Sequence, residues 1–525
     1  MAQKITTSKS LKRSVADPSD SYHSLSPLWK KSRAVLQGES NVKAHDDVVD
    51  PAYKNLLLPF SPSMTQKQYD FYRAEAELPG LTAQYCKVLI SSLLRKKSHM
   101  KLPDDGMLPE GAQDWIETNF TLDGRSLFNF LDGALWEELQ TSRCWVFVDY
   151  PKIDDNQFEM LSPEERDMIA PYPVIVKAEN VINYQTDTHP ITRQKTLTRV
   201  VTRFLNETYD EDNPWHPHYV DTVCDHYLDE NGELVMAYYK HLDNNKQIKV
   251  LNGEVRQEYG DAVTEDGRFE QYDEVRPKMF GSPIMRIPAW PINGHIEPIE
   301  PVLMPLIDRE IALYNKVSRR NHLLYGAATY TPVVSSDMTD EEFDELVGAG
   351  LGSWLRVRKD ENISVLETPT AALSDMEKSI DSTVAEMAKM GIRMLSPENA
   401  ASGTALEIRN ASQTAQLGTM NSKVSGTMRD VIAFMLNWKY NTYYTANDIE
   451  FTLSADFAPV VGGDQAMRLV TEWYQSGIIP RDTFVSIAKY NDFLPADYDD
   501  EEAINSIQTD PLTQQVPDDE VQIEE

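Results

Sequence analysis

A chain of 525 residues, 41% hydrophobic and 9% aromatic, is too long for one ordinary core and apolar enough to fill several, so two to four globular units are expected. Its formal net charge of −33 excludes a broad grip on nucleic acid, because phosphate neutralisation needs Lys and Arg in excess. No apolar run reaches the ~18 residues of a membrane span, and the polar N-terminus lacks the apolar region of a signal peptide. Cys86, Cys144 and Cys224 form no closely spaced pair and read as reduced thiols of a protein made in a cytoplasm.

In chain order, the first fifty residues read as a basic arm and residues 497–525 as an acidic tail, each solvated. Helices are expected from Thr65 to Leu78 and from Leu81 to Lys97, divided by Pro79-Gly80. Asp123 and Ser126 offer caps for a helix from Leu127 to Gln140, whose Leu127, Phe130, Leu131, Leu135 and Leu139 share one side. "CWVFVDYP" reads as a buried strand ended by proline, residues 162–169 as a short helix, and "YPVIVKAENVINYQ" as strand and turn. From Lys195 to Ile287, β-like runs alternate with turn signals at Glu230-Asn231-Gly232 and Asn252-Gly253, which predicts an antiparallel meander.

The pattern then becomes helical. Leu303, Leu306 or Ile307, Glu310, Leu313 or Tyr314, Val317, Asn321 and Leu324 recur at helical spacing from Pro301 to Tyr325. An insert follows, with an extended "TYTPVVSS", an acidic helix "TDEEFDELVG" and an expected hairpin in "SWLRVRKDENISVLET". Leu373, Met376, Ile380, Val384 and Met387 mark a returning helix, and a loop with Pro397 and Gly403 comes next. A helix of about 60 Å is then expected from Thr404 to Tyr444, with a bend near Gly418 and Gly426. Its second half carries a clean stripe, Leu417, Met420, Val424, Met428, Val431, Met435 and Trp438. Its first half, "SGTALEIRNASQTAQ", has small and polar residues where a core helix would be apolar. A strand "IEFTLSADF" and two short helices close the ordered part.

Motifs for chemistry are scarce. There is no Gly-Lys for a phosphate-cradling loop, no His-Glu for a zincin helix and no Gly-x-Ser-x-Gly elbow. His216, His218, Asp221, Cys224 and His226 crowd one strand. Opposite parity of His218 and Asp221, with Pro217 between, makes a solvated strand face the better reading than a metal site. Carboxylate runs at Asp499–Glu502 and Asp340–Glu342 read as solvated faces or helix-start charge. No catalytic, cofactor-binding or metal residue is assigned, and no enzyme activity is expected.

The order of a β-rich block, "LIDREIALYNKVSRRNHLLY", an insert, "LSDMEKSIDSTVAEMAKMGI", a loop ending in "SGTA" and a long helix resembles the portal proteins of tailed bacteriophages. "YDFYRAEAELPG", "LDGRSLFNFLDGALWEELQTSRCWVFVDYP" and "YPVIVKAENVINYQ" resemble one subgroup of them, with a small crown, across roughly residues 50–495. The resemblance implies a multi-domain α+β portal fold: N-terminal arm 1–50, α/β wing 51–295, stem helix 296–326, small α/β clip 327–368, second stem helix 369–392, tunnel loop 393–403, long kinked tunnel helix 404–445, wing return strand 446–461, short helical crown 462–496 and acidic tail 497–525.

The family's function is a ring, usually of twelve, at one capsid vertex of the virion. The partners so implied are copies of the chain, the large terminase subunit, head-completion or adaptor and tail proteins, major capsid and scaffolding protein, and double-stranded DNA passing during packaging and ejection. The tunnel loop would place Arg393, Met394, Ser396, Pro397, Glu398, Asn399 and Ser402 at the DNA channel. The clip would offer Trp354, Arg356, Arg358 and Lys359 to partners, and Glu407, Asn410, Gln413 and Gln416 would face the neighbouring copy. Two other readings stand beside it: another oligomeric head–tail adaptor or connector of the virion, and a carboxylate-dependent nuclease.

Overall fold

The computed structural model describes residues 14–43, 65–151, 169–188, 195–210, 213–241, 269–328, 370–390, 403–453 and 463–481. It also describes short pieces at 160–162, 250–251, 254–255, 333–335, 339–341, 355–357 and 483–485, and a few single residues. The chain mixes helix and sheet, an α+β composition, and divides into one unit of residues 1–455 and a second of residues 456–525.

The first unit opens with α1 (Asp20–Leu36) and α2 (Glu39–Lys43). Ser19 caps α1, accepting from the Tyr22 N–H, and Trp29 on that helix is fully buried. Tyr22 and Trp29 join Ile182, Val201 and Val223 of the sheet below in one apolar cluster. This corrects the expectation of a solvated arm: residues 20–43 belong to the folded body, because the aromatic side of α1 outweighs its basic surface.

Next come α3 (Gln66–Glu75), started by a full capping box between Thr65 and Gln68, and α4 (Leu81–Leu93), which ends short of the basic Arg95-Lys96-Lys97. β1 (His99–Lys101), α5 (Ala112–Thr118) and α6 (Leu127–Thr141) follow. Ser126 rather than Asp123 caps α6, accepting from the Asn129 N–H. The five apolar residues expected on one side of α6 are all buried.

β2 (Trp145–Asp149) is the middle strand of a three-stranded antiparallel sheet, beside β3 (Tyr172–Val176). The expected meander is present. β4 (Val181–Thr188), β5 (Lys195–Asp210), β6 (Asn213–Leu228) and β7 (Leu234–His241) run antiparallel, each beside the next. Asp229 sets the β6–β7 turn by accepting from the Asn231 and Glu233 N–H groups, and Gly232 takes the positive φ of 79° the turn requires. A small hairpin of β8 (Val250–Leu251) and β9 (Glu254–Val255) precedes β10 (Phe269–Val275), the sheet's outer strand. β11 (Lys278–Met279) pairs with β12 (Ser282–Pro283), and β13 (Ala289–Pro291) completes the sheet of β2 and β3.

Then come α7 (Met304–Ala328), β14 (Val333–Ser335), β15 (Leu355–Val357), α8 (Thr370–Lys389) and α9 (Gly403–Tyr440). α9 is helical throughout its 38 residues, Gly418 and Gly426 included, for a length of about 57 Å. Its stripe packs as expected: Leu417, Val424, Met428, Val431, Met435 and Trp438 are buried and Met420 is half-buried. From Val431 to Leu436 every residue is buried, so this stretch is enclosed on all sides. β16 (Glu450–Thr452) returns to pair antiparallel with β1.

In the second unit, α10 (Gly463–Gln475) leads into a turn closed by the Ile478 N–H to the Trp473 carbonyl, and Tyr474 stacks on Phe484 at 4.8 Å.

Candidate functional site

The helices that flank the insert, and the long helix after them, are the part of the chain to which assembly residues were assigned. α7 and α8 pack side by side and antiparallel. Arg309 pairs with Glu386 at 3.3 Å, and Lys316 Nζ donates to the Ser379 carbonyl at 3.2 Å and to Thr383 Oγ1 at 2.7 Å. Positions rising along one helix thus meet positions falling along the other, as an up-and-back pair requires. Thr383 and Met387 are buried at this contact, while most of α8's remaining surface is exposed or half-exposed.

The root of α7 is tied to the sheet body through a short corner after α6. Ser142 sits there at φ 51°, a left-handed conformation uncommon outside glycine. Its hydroxyl accepts from the Val302 N–H at 2.9 Å, and its carbonyl accepts from Asn293 Nδ2 at 2.8 Å. Arg143 next to it donates to the Ile296 carbonyl at 3.3 Å and lies over the rings of Trp145 and Tyr184. Glu138, on α6, accepts from the Cys144 N–H at 2.9 Å. Burial pushes the Glu138 carboxyl up to about 7, against the pull of the Cys144 N–H, Asn293, Lys423 and Arg143. Burial likewise lowers Arg143 to about 10, with Tyr184 and Glu138 opposing.

One turn further along α7, Glu310 is fully buried and turns its carboxylate onto the start of α4. It accepts from the N–H groups of Gly80 at 2.7 Å, Leu81 at 3.2 Å and Thr82 at 3.0 Å, and from the Thr82 hydroxyl at 3.0 Å. Gly80 has no side chain with which to cap α4, so a carboxylate from a distant helix takes that role at the positive end of its dipole. Near the far end of α7, Tyr325 meets Phe71 at 5.0 Å between ring centroids, and His322 meets Tyr72 at 5.2 Å.

α9 is fixed at its middle. Asn421 Nδ2 donates to the Leu453 carbonyl, Ser425 Oγ donates to Asn421 Oδ1 and accepts from the Leu453 N–H, and Thr427 donates to the carbonyls of Pro291 and Ile292. Lys423 Nζ lies 3.3 Å from His295 Nε2, on the segment that leads into α7. The sheet body, the helix pair and the long helix therefore share one junction between residues 291 and 302.

Within the insert, β14 and β15 pair in parallel, Val333 opposite Leu355 and Ser335 opposite Val357. Parallel strands need a crossover, and Asp340 and Glu341 between them are helical; of the hairpin expected from Ser353 to Thr368 only Leu355–Val357 is described, and the rest lies outside the described residues. Of the assigned contact residues, Arg356 lies on β15, whereas Trp354, Arg358 and Lys359 lie outside the described residues. So do Arg393, Met394, Ser396, Pro397, Glu398, Asn399 and Ser402. Glu407, Asn410, Gln413 and Gln416 are on α9, their side chains outside the described set.

The histidine-rich strand is β6. Asp221 is bound to Arg203 at 2.5 Å and Asp225 to Arg199, while Cys224 and His226 are buried 3.3 Å apart. That corrects the solvated-face reading for residues 222–226: Val223 packs into the cluster of Tyr22 and Trp29 on one face, and His226 meets the Phe147 ring at 5.3 Å on the other. Burial lowers His226 to about 4. Among the described residues, no three His, Cys, Asp or Glu side chains are grouped to hold a metal ion, and no helix is long and apolar enough to cross a membrane. The three cysteines are buried free thiols.

The sequence places Glu310 on the stripe of α7 without showing its role, and gives no sign of the parts played by Ser142 and Glu138. Glu310 did fall on the inward stripe of α7, among leucines and a tyrosine, and a carboxylate at such a position is itself the signal of a buried partner.

A family model described as a domain of unknown function (DUF4055) matches residues 302–439, a span that covers α7, the insert, α8 and nearly all of α9. No curated protein matches the chain. Among solved structures, a chain of the virion of a native gene transfer agent particle is similar at a TM-score of 0.33 and 11% identity, covering 82% of this chain and 94% of that one. A chain from the neck of an empty gene transfer agent particle is similar at a TM-score of 0.33 and 10% identity, covering 78% of this chain and 88% of that one.

Proposed function

We propose that this chain is the subunit of a phage portal, a non-catalytic ring at one capsid vertex that conducts DNA in packaging and ejection. It docks terminase first and head-completion or tail proteins afterwards. The observation that carries the reading is the antiparallel pair of α7 and α8 around a small insert, followed by a 38-residue helix whose second half carries a buried apolar stripe. The first half of this helix, about 57 Å long in all, is polar and rich in small residues, a composition suited to packing against copies of the same chain.

The charge supports the same reading. Each copy carries −33, so a ring bore repels phosphate, and a duplex slides without being held. Arg356 and Arg358 then serve as contacts for terminase or adaptor. Charge reversal at both positions is expected to cut DNA packaging while rings still form; unchanged packaging would remove the clip from that role.

A further inference from the structure

β5 and β6 are longer than the sheet they belong to. β4 pairs with β5 only as far as Thr202, and β7 pairs with β6 only as far as Thr222. Among the described residues, the two strands from Leu205 and Asp221 outward pair with each other alone. Leu205 to Asp210 carries this ribbon about 20 Å past the sheet. A two-stranded ribbon buries little apolar surface by itself.

One side of the ribbon is aromatic and acidic. Val201 and Val223 pack into the cluster of Tyr22 and Trp29, so by alternation Leu205, Glu207 and Tyr209, with Tyr219 across from them, continue that side beyond α1. Trp215 has the same parity on β6. Tyr209 is 57% exposed and Trp215 86%, so neither ring is covered by the described body. The Tyr209 hydroxyl donates to Glu207, and no described cation pairs with that carboxylate. From Asn206 to Asp212 the sequence holds four acids and no base.

The opposite charge lies next to the ribbon's root. There Arg203, paired with Asp221, sits over the Phe269 ring at 5.6 Å. The described chain starts at Ser14, and Val15 packs against the same apolar cluster as Phe269. Residues 1–13 hold Lys4, Lys9, Lys12 and Arg13, no acid, and the apolar Ile5 and Leu11. Extended, a segment of that length spans about 43 Å, twice what the ribbon needs. We propose that residues 1–13 dock along the acidic, aromatic side of the ribbon of their own chain. Their cations meet its acids, and Ile5 and Leu11 meet Tyr209, Trp215 and Tyr219. The strap is a feature of one chain and does not depend on the portal reading.

The test joins lysines to paired carboxylates with a carbodiimide, in a mixture of 15N-labelled and unlabelled full-length chain assembled together. Mass spectrometry is expected to find Lys4, Lys9 or Lys12 linked to Glu207, both peptides carrying the same isotope. A second readout is acrylamide quenching of Trp215, taken as the difference from the Trp215→Phe chain. In the variant Lys4→Glu, Lys9→Glu, Lys12→Glu that quenching is expected to rise, with far-UV circular dichroism unchanged. Absence of any such link, or Trp215 quenching that does not change in the variant, would overturn the proposal. Links found at the mixed-isotope share of random pairing would overturn it as well, by giving the ribbon to a neighbouring copy. None of these outcomes bears on whether rings form, so the portal reading stands or falls separately.

Discussion

Glu310 and Thr82, 228 positions apart in the chain, are joined twice: the Glu310 carboxylate accepts both the backbone N–H and the hydroxyl of Thr82, each at 3.0 Å. With the Gly80 and Leu81 N–H groups added, one buried side chain satisfies the start of α4 and locks α7 to the body. Glu310→Ala strands those donors and is expected to cost about 3–5 kcal/mol in urea unfolding. Glu310→Gln keeps the shape and part of the bonding, and is expected to cost about 1–3 kcal/mol. Equal stability of both variants with the original would show that the cap contributes nothing.

Arg33 is the buried cation of a second tie, donating to Glu179 at 2.5 and 2.9 Å and to Glu137 at 2.7 Å. Burial alone would raise the Glu179 carboxyl, but the charge and hydrogen bonds of Arg33 win and hold it below its ordinary value. Arg33→Met leaves two carboxylates buried together and is expected to cost about 3–5 kcal/mol. The loss should shrink as pH falls and Glu179, no longer held low by the guanidinium, takes up a proton. Thermal unfolding at two pH values measures the difference.

Trp29 tests whether the early helix is part of the body. Trp29→Ala empties a fully buried site and is expected to cost about 3–5 kcal/mol, whereas a free arm would lose nothing.

Glu138 makes stability depend on pH in the opposite sense from an ordinary surface acid. Its folded-state value, about 7, lies above the 4.5 of the unfolded chain, so the folded state holds the proton longer. Stability is therefore highest below about pH 4.5 for this group and falls as pH rises to about 7, by a total of about 3 kcal/mol. Glu138→Gln removes that slope, and its stability should exceed the original's at pH 8 and match it near pH 4. A parallel pH profile for the two chains would contradict the burial argument.

Local signals made much of this fold legible. Ser126 before an apolar-periodic run, the Asn231-Gly232 turn and the seven-residue stripe from Leu417 to Trp438 each state their structure within a few residues, and each is found in place. What the sequence hid depends on contacts across long separations. Trp29 lies in a run of basic and small residues, and only the sheet under it, more than 150 positions later, makes it core. Glu310 needs the bare N-terminus of α4, and β15 pairs in parallel with β14, twenty residues earlier in the chain. The assembly residues were read from a resemblance, and most of them fall outside the described residues.

The most direct measurement is an averaged end-on image of the purified full-length chain, with its rotational symmetry counted. The account predicts closed rings of one repeating order with an open centre. A population that stays monomeric at every concentration, and unassembled within phage heads, would contradict it.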